Sequence, residues 1–157
     1  MINIASEIVE IAEKQCKAHG VPITKKRVKV FSILQSSQKA VSAYELAESY
    51  EKMFNEPVPV ITVYRILDFL QNKNLVHKLE TANKFIVCEH IGCNHTHPAS
   101  QFLICKECLK VKELSVSERK FEELKRTIED AGFHIDSPQL EMNCICNVCY
   151  TNAELNK

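Results

Sequence analysis

Apolar residues recur at every third or fourth position through much of the first 73 residues, which is the spacing of a buried helix face. Residues 3–18 predict a first helix on this basis. Thr24 is suited to cap a second helix, and Ser42-Ala-Tyr-Glu45 has the form of a capping box that begins a third. Residues 62–73 predict a fourth helix with one apolar and one polar face. The first part of the chain is therefore predicted to be helical.

The pattern changes to short runs rich in β-branched and aromatic residues after the fourth predicted helix. Residues 75–79 and 85–88 flank a polar turn and predict a β-hairpin. Helices followed by a hairpin predict a winged helix, in which the wing lies beside the recognition helix. A turn centred on residues 82–83 would place His77 directly across from Cys88, with their Cβ atoms roughly 4.5–5.5 Å apart.

The second half of the chain combines strands with one helix. Residues 102–105 and 111–113 predict two strands, and a third strand is expected around residues 133–142. Ser115-Val-Ser-Glu118 has the form of a second capping box, which predicts a helix that stops at Gly132. The expected fold class is therefore α+β, with an N-terminal winged-helix domain followed by a small α/β domain.

The length of 157 residues accommodates two small domains, each with enough apolar residues for a core. We expect the winged-helix domain in residues 1–83, a hinge in 84–90 and the second domain in 91–157. Residues 1–83 carry 11 Lys/Arg against 9 Asp/Glu (+2), and the rest carries 9 against 11 (−2), which favours a basic, DNA-facing first domain. With no signal-peptide pattern and no apolar stretch of about 18 residues, we expect a cytoplasmic protein with no membrane partner.

Two groups of residues in the helical part suit double-stranded DNA. Lys25, Lys26 and Arg27 occupy the first turn of the second predicted helix, where positive charge opposes the helix dipole. DNA phosphate would compensate this charge, although a solvated basic face is the alternative. Tyr64 and Arg65 lie on the polar face of the fourth helix, where a recognition helix presents side chains to base edges. An ordinary surface helix would show the same pair by coincidence.

The eight cysteines include two C-x-x-C pairs separated by 37 residues. Without a secretory signal, this spacing favours zinc over disulfides. Cys105, Cys108, Cys146 and Cys149 would supply four thiolates to a tetrahedral ion and leave no open position, which predicts a structural rather than a catalytic site. Cys144 is a spare thiol close enough in sequence to exchange into that site.

A second group of candidate ligands mixes nitrogen, sulfur and oxygen. His77, Cys88, His97 and Glu113 come from both predicted domains, so a metal bound by all four would link metal binding to domain orientation. A thiolate combined with imidazoles suits zinc better than manganese or magnesium. The loop ligand is open at this point, because three other residues could replace His97: His90, Cys93 and His95.

Several segments match, in order, the motifs of a known family. They are Ile23-Thr-Lys-Lys-Arg27, Ser42-Ala-Tyr-Glu-Leu46, Thr62-Val-Tyr-Arg-Ile-Leu-Asp-Phe-Leu70, Val76-His-Lys78 and the two C-x-x-C pairs. In these segments, which span nearly the whole chain, the protein resembles the ferric uptake regulator family and, within it, the zinc uptake regulator branch.

The resemblance implies a homodimeric repressor whose second domain serves for dimerisation. It places the family's DNA-reading pair on Tyr64 and Arg65, its helix-two arginine on Arg27 and the structural zinc on the paired cysteines. In the zinc branch, the regulatory ligands fall on His77, Cys88, a histidine of the following loop and Glu113.

The chain departs from the family pattern at three places. Lys25-Lys26 stands where the family usually has Pro-Gln, which adds charge where a phosphate would lie. The loop before the first cysteine pair is one residue longer than expected, so His95 remains a possible substitute for His97. Pro138 lies where iron and peroxide sensors often place a further histidine, which favours zinc as the signal.

Taken with the resemblance, the sequence predicts a zinc-responsive transcriptional repressor that controls zinc-uptake genes. It would bind palindromic operator DNA as a homodimer and hold about two Zn²⁺ per subunit, one structural and one regulatory. The alternative is a sensor of iron, manganese, nickel or peroxide on the same scaffold. An enzyme with a small-molecule substrate is not expected, because the chain has neither H-E-x-x-H nor H-x-E…C-x-x-C.

Overall fold

The computed structural model describes residues 4–18, 20–92 and 99–155 of the chain. These form two compact units, Met1–Cys93 and Asn94–Lys157. No helix within the described ranges has both the length and the apolar character needed to cross a membrane.

Four helices build most of the first unit. They are α1 (Ile4–Ala18), α2 (Lys25–Ser36), α3 (Ala43–Phe54) and α4 (Val60–Asn72). Each predicted helix is present, and α4 begins two residues earlier than expected because Pro59 supplies its N-terminal boundary. Proline is tolerated there because the first helical N–H groups have no partner within the helix.

The caps of α2 and α3 confirm two sequence predictions. The hydroxyl of Thr24 accepts a hydrogen bond from the Arg27 backbone N–H at 3.4 Å. In the capping box, the Ser42 N–H donates to Glu45 Oε2 at 2.7 Å, and the Glu45 N–H donates to Ser42 Oγ at 3.2 Å. These bonds satisfy N–H groups that a helix start otherwise leaves to water.

The apolar faces of the four helices meet in one core. Its largest members include Phe31, Leu34, Leu46, Tyr50, Leu67, Leu70, Leu75 and Phe85. Cys16 belongs to the same core and is fully buried, and burial raises the pKa of its thiol. It therefore behaves as a small apolar side chain rather than as a ligand.

A β-hairpin completes the first unit, and its register differs from the one predicted. Strands β1 (Val76–Leu79) and β2 (Lys84–Val87) pair antiparallel, with His77 opposite Ile86 rather than opposite Cys88. The loop comprises residues 80–83, one residue earlier than a turn centred on 82–83 requires, because Asn83 takes the left-handed conformation (φ 48°) as its last residue.

Pairing of β2 with β1 makes residues 84–87 part of the first unit, which extends to Cys93 rather than to residue 83. On its other side, β2 forms a bridge in which Val41 and Phe85 exchange two backbone hydrogen bonds. The hairpin is thus tied to the segment before α3, as in a winged helix. The hinge role of residues 84–90 stays a prediction.

The second unit contains a three-stranded sheet and two helices. Its elements are β3 (Ser100–Cys105), β4 (Val111–Ser115), α5 (Glu118–Asp130), β5 (Leu140–Cys144) and α6 (Asn147–Leu155). The strand order is β4-β3-β5, with β3 antiparallel to β4 and parallel to β5. The parallel pairing is possible because α5 carries the chain across the sheet.

Three details of the second unit correct the sequence prediction. Ser115 is the last residue of β4, where it pairs with Ser100, so α5 starts after Ser117 and has no side-chain cap hydrogen bond. The third strand begins at Leu140 rather than near residue 133. Helix α6 was not predicted. The stop at Gly132 is confirmed by its φ of +85°, which glycine adopts without strain.

Candidate metal centres and nucleic-acid interface

The four paired cysteines converge at one end of the second unit. Cys105 ends β3, Cys108 lies in the turn that follows, Cys146 precedes α6 and Cys149 lies within α6. Their sulfur atoms all lie within 4.8 Å of one another, and the Cys108 and Cys146 sulfurs are 3.7 Å apart. Leu109 follows the first pair in the left-handed conformation (φ 61°), and its N–H closes the turn by donating to the Cys105 carbonyl oxygen at 2.9 Å. The site is thus assembled from residues distant in sequence.

The electrostatics of this cluster suit a cation. Backbone N–H groups, chiefly those of Cys108 and Cys146, lower the pKa of Cys105 to about 6. The Cys146 N–H donates to the Cys105 sulfur at 3.3 Å. The hydrogen bond with Cys146 raises the pKa of Cys149 to about 12. Four crowded thiols therefore do not all ionise on their own, whereas a tetrahedral zinc ion stabilises four thiolates and leaves no position open. The residues fit a structural zinc.

Cys144 stands apart from this cluster. It ends β5 opposite Cys105 in the parallel register, and its thiol donates to the Met142 carbonyl oxygen at 3.6 Å. It is not among the four clustered sulfurs. The structure therefore brings together the four predicted ligands and leaves the spare thiol beside them.

His77 and Cys88 form the part of the second ligand set that lies in the first unit. Because Ile86 is opposite His77, Cys88 lies two residues further along and points to the same face of the hairpin. A ring nitrogen of His77 and the Cys88 sulfur are within 4.8 Å of one another. The backbone N–H of His90 donates to that sulfur at 3.4 Å. The predicted pair is thus brought together through a diagonal rather than a direct pairing.

Glu113 supplies the predicted oxygen ligand from the second unit. It lies on β4 opposite Phe102, and only 3 % of its surface is exposed. The Ser100 hydroxyl donates to its Oε1 atom at 3.1 Å. A carboxylate is costly to bury unless opposite charge or hydrogen bonds compensate it, and a coordinated divalent cation supplies the opposite charge. The predicted loop ligand His97, its substitute His95 and nearby Cys93 lie outside the described residues.

The outer face of α4 presents the candidate base-reading residues. Arg65 is exposed, whereas Tyr64 is half-buried and packs edge-on against Phe85 of β2, with ring centroids 6.5 Å apart. Sequence reasoning missed Tyr44, which is exposed in the first turn of α3 and meets the Tyr64 ring edge-on at 6.5 Å. The signal available was its place two residues after the Ser42 cap, in the exposed first turn of the helix.

The three predicted phosphate contacts on α2 have different surroundings. The Arg27 guanidinium stacks over the Phe69 ring of α4, 3.6 Å from its centroid, which orders the side chain. Lys25 is exposed. Lys26 forms an ion pair with Glu56 at 3.1 Å, a partner that the sequence did not suggest.

The sequence matches the model of a known protein family. The model of the ferric uptake regulator family matches residues 18–143, which is most of the sequence. The chain belongs to the ferric uptake regulator family.

Several zinc regulators of the family are similar to this chain. The zinc uptake regulation protein of Escherichia coli (strain K12) is 32% identical over 144 residues, which cover 91% of this chain and 81% of that protein. Among solved structures, a zinc uptake regulator in complex with zinc and DNA has a TM-score of 0.85 at 28% identity and covers 97% of this chain and 99% of that one. Holo XcZur has a TM-score of 0.77 at 31% identity and covers 92% and 98%.

The family match and the geometry of the cysteines are independent observations. Residues 18–143 include Cys105 and Cys108 but end before Cys146 and Cys149. The second cysteine pair is therefore placed beside the first by the folded second unit, not by the family match. In this family member, both C-x-x-C pairs belong to one cluster.

Proposed function

We propose that this protein is a zinc-responsive transcriptional repressor that binds palindromic operator DNA as a zinc-loaded homodimer and controls zinc-uptake genes. The observation that carries the proposal is its match, over 97% of the chain, to a zinc uptake regulator solved with zinc and DNA. A regulator of this kind acts on DNA and has no substrate to convert. Its place of action is the cytoplasm.

The first zinc of each subunit is structural and is held by Cys105, Cys108, Cys146 and Cys149. Support comes from the 4.8 Å cluster of four sulfurs and from the backbone N–H groups directed at Cys105. The residues themselves fix the turn after β3 to the start of α6. Zinc supplies the charge that lets all four thiols ionise together.

The second zinc is regulatory and is held by His77, Cys88, Glu113 and a loop histidine, His97 with His95 as its substitute. The close His77–Cys88 pair and the buried Glu113 carboxylate support this assignment. Zinc is favoured over iron, manganese or nickel because a thiolate is a soft ligand. About two Zn²⁺ per subunit follow from the two ligand sets.

The free energy of zinc binding is sufficient to operate such a switch. A ligand at about 100 times its dissociation constant stabilises the state that binds it by about 2.7 kcal/mol. Two regulatory ions in a homodimer contribute about twice that amount, close to the roughly 5.5 kcal/mol that reverses a 1:99 population. Zinc occupancy is therefore able to convert a DNA-incompetent dimer into a competent one.

DNA reading falls to Arg65 and Tyr64 on α4, with phosphate contacts from Lys25 and Arg27 on α2. An exposed arginine donates two hydrogen bonds to guanine, and Tyr64 is held against the wing by Phe85. Dimerisation is assigned to the second unit, which exposes large apolar side chains that a second copy would cover: Phe133 (70% exposed), Met142 (50%) and Val148 (68%).

The test combines metal content with DNA binding. The protein is purified without oxygen and its operator is selected from random duplex DNA in the presence of zinc. Operator binding is then titrated against zinc, ferrous iron and manganese. The proposal expects two zinc ions per chain, with binding lost when a chelator removes only the weaker one. Binding driven equally well by iron or manganese would instead favour the alternative sensor.

A pair of histidine variants separates the regulatory site from general effects of mutation. His77→Ala is expected to retain one tightly held zinc and to lose zinc-dependent operator binding. His134→Ala removes an exposed histidine from the second unit and serves as the matched control. Unchanged zinc-dependent operator binding in His77→Ala refutes the regulatory assignment.

A further inference from the structure

Glu56 forms a compact polar network beside the basic start of α2. The left-handed Asn55 (φ 50°, ψ 36°) ends α3 and turns the chain back, which brings Glu56 to α2. Its Oε1 atom lies 3.1 Å from the Lys26 ammonium, and its Oε2 atom lies 3.2 Å from that of Lys29. The Tyr50 hydroxyl donates to Oε2 at 3.1 Å. The two carboxylate oxygens thus face different lysines.

The two lysines are held to different extents. The Lys29 ammonium lies over the rings of Phe54 (4.5 Å) and Tyr50 (5.4 Å), and its hydrogen bond with Glu56 raises its pKa. The Lys26 side chain is half exposed, and its ammonium forms an ion pair with Glu56. Lys29 and Tyr50 therefore fix one oxygen of the carboxylate, which leaves the other directed at Lys26.

Lys26 belongs to the turn that also carries Lys25 and Arg27, the proposed phosphate contacts. A carboxylate oxygen offers an ammonium group the same kind of charged acceptor as a phosphate oxygen. While Lys26 is paired with Glu56, it is withheld from the DNA backbone. Contacts to phosphate give affinity without sequence information, so this pairing affects DNA of every sequence alike.

We propose that Glu56 is a positioning residue that withholds Lys26 from the phosphate backbone and so limits the sequence-independent part of DNA affinity. The inference rests on the proposed DNA-binding function. Each phosphate contact adds about 0.9 to the slope of log affinity against log salt. Releasing Lys26 by Glu56→Gln is therefore expected to steepen that slope by about 0.9 and to raise affinity about eightfold at 0.1 M salt.

The experiment measures binding of the zinc-loaded, full-length protein to a 25-base-pair duplex of scrambled sequence and to the selected operator across a salt series. Glu56→Gln keeps an oxygen acceptor for the Tyr50 hydroxyl. Glu51→Gln removes the same charge from an exposed position five residues earlier. The expected result is a steeper slope on both duplexes for Glu56→Gln and an unchanged slope for Glu51→Gln.

Lys26→Ala completes the test, alone and combined with Glu56→Gln. Alone it should leave the slope unchanged, and in combination it should cancel the gain of Glu56→Gln. If Lys26→Ala alone lowers the slope by about 0.9, Lys26 already contacts phosphate and the inference is wrong. This arm can overturn the inference even if Glu56→Gln fails to fold, and an unchanged slope for folded Glu56→Gln would overturn it as well. An equal gain from Glu51→Gln would also overturn it, whereas wild-type protein that binds neither duplex would overturn the proposed function itself.

Discussion

The two units of the molecule differ in how they are held together. Of the twelve largest fully buried side chains in the described ranges, eleven lie in the first unit and only Phe102 lies in the second. Helices α5 and α6 bury no residue fully. The first unit therefore has an apolar core of its own, whereas the second relies more on what is bound to it. Its four-cysteine cluster and its exposed apolar residues are the two places where it can gain stability.

This difference assigns separate physical roles to metal and to packing. Burial of large side chains stabilises a small domain without any ligand, at roughly 25 cal/mol per Å² of apolar surface. A cysteine cluster contributes little until a cation neutralises it, after which binding and folding are the same free energy. The first unit should therefore respond to core mutations and the second to loss of metal.

Loss of one zinc thiolate is the change with the largest expected effect. Cys108→Ser removes a sulfur that lies 3.7 Å from Cys146 and leaves three ligands. Structural zinc sites contribute about 10–16 kcal/mol of apparent binding free energy, most of which the second unit would lose. Metal content and amide hydrogen exchange should show one zinc fewer and an unfolded second unit, with the first unit still protected.

The neighbouring thiol provides the control for that variant. Cys144→Ser changes a cysteine on β5 that is outside the sulfur cluster, so its zinc content and exchange pattern should match the wild type. If Cys144→Ser lost the structural zinc while Cys108→Ser kept it, the ligand assignment would be wrong.

A core mutation in the first unit should produce the opposite pattern. Leu67 is fully buried in α4, and Leu67→Ala is expected to cost about 2–5 kcal/mol through lost burial and the cavity left behind. Thermal unfolding should show a lower transition for the first unit and an unchanged zinc content. Ile61→Ala, at an exposed position on the same helix, should change stability by about 0.5 kcal/mol or less. Equal losses would mean that the apolar core is not what stabilises this unit.

The same contrast explains how much of the fold could be read from the sequence. In the first unit, local signals agree with the packing, and both the Ser42–Glu45 capping box and the buried face of α4 are confirmed. The predicted hairpin register was wrong. A loop at 80–83 and a turn centred on 82–83 draw on the same short run of residues, so the sequence does not distinguish the two registers. The His77–Cys88 proximity survived because a register shift of two residues keeps a side chain on the same face.

In the second unit, pairing between distant residues overrides the local signals. Ser115 belongs to β4 because it pairs with Ser100, although its own neighbourhood resembles a helix cap. The parallel partner of β5 is β3, so the start of β5 at Leu140 depends on Gln101, 39 residues away. The cysteine spacing predicted the metal cluster because each C-x-x-C pair supplies two ligands locally. Only the meeting of the two pairs depends on the fold. The Glu56 network was missed because its partners lie on two helices.

DNA recognition should depend on the first unit and not on charge elsewhere. Arg65→Ala is expected to weaken the free energy of operator binding by about 1–3 kcal/mol, because an arginine reading guanine supplies two hydrogen bonds. Binding to scrambled duplex should fall much less. Arg119→Ala removes the same charge from the second unit, where Arg119 is exposed and pairs with Glu123 at 3.2 Å. Anisotropy titrations at fixed salt should give similar operator affinity for Arg119→Ala and wild type; a matching loss in both variants would argue against base reading by Arg65.

Removing the helix caps should give the smallest difference in stability loss between the two units. Ser42→Ala removes the hydroxyl that accepts the Glu45 N–H, which costs about 1 kcal/mol at a typical N-cap. Ser117→Ala should cost less, because Ser117 caps α5 without a side-chain hydrogen bond. Urea unfolding of each variant measures both changes. A larger loss for Ser117→Ala would show that the cap geometry does not set the stability of these helices.

The pH dependence separates the two halves of the α3 capping box. The backbone N–H of Ser42 is the main cause that lowers the pKa of Glu45 below its ordinary 4.5, and the Ser42 hydroxyl and Lys84 add to it. A carboxylate whose pKa is lowered on folding stabilises the protein above its unfolded pKa, and this stability is lost as pH falls through the lower folded value.

Glu45→Gln should therefore flatten the decline in stability of the first unit below about pH 4.5. Ser42→Ala should lower stability at every pH but keep most of that decline, because alanine retains the backbone N–H that the carboxylate accepts. If Ser42→Ala removed the pH dependence as completely as Glu45→Gln, the hydroxyl and not the backbone would be the group that stabilises the charge.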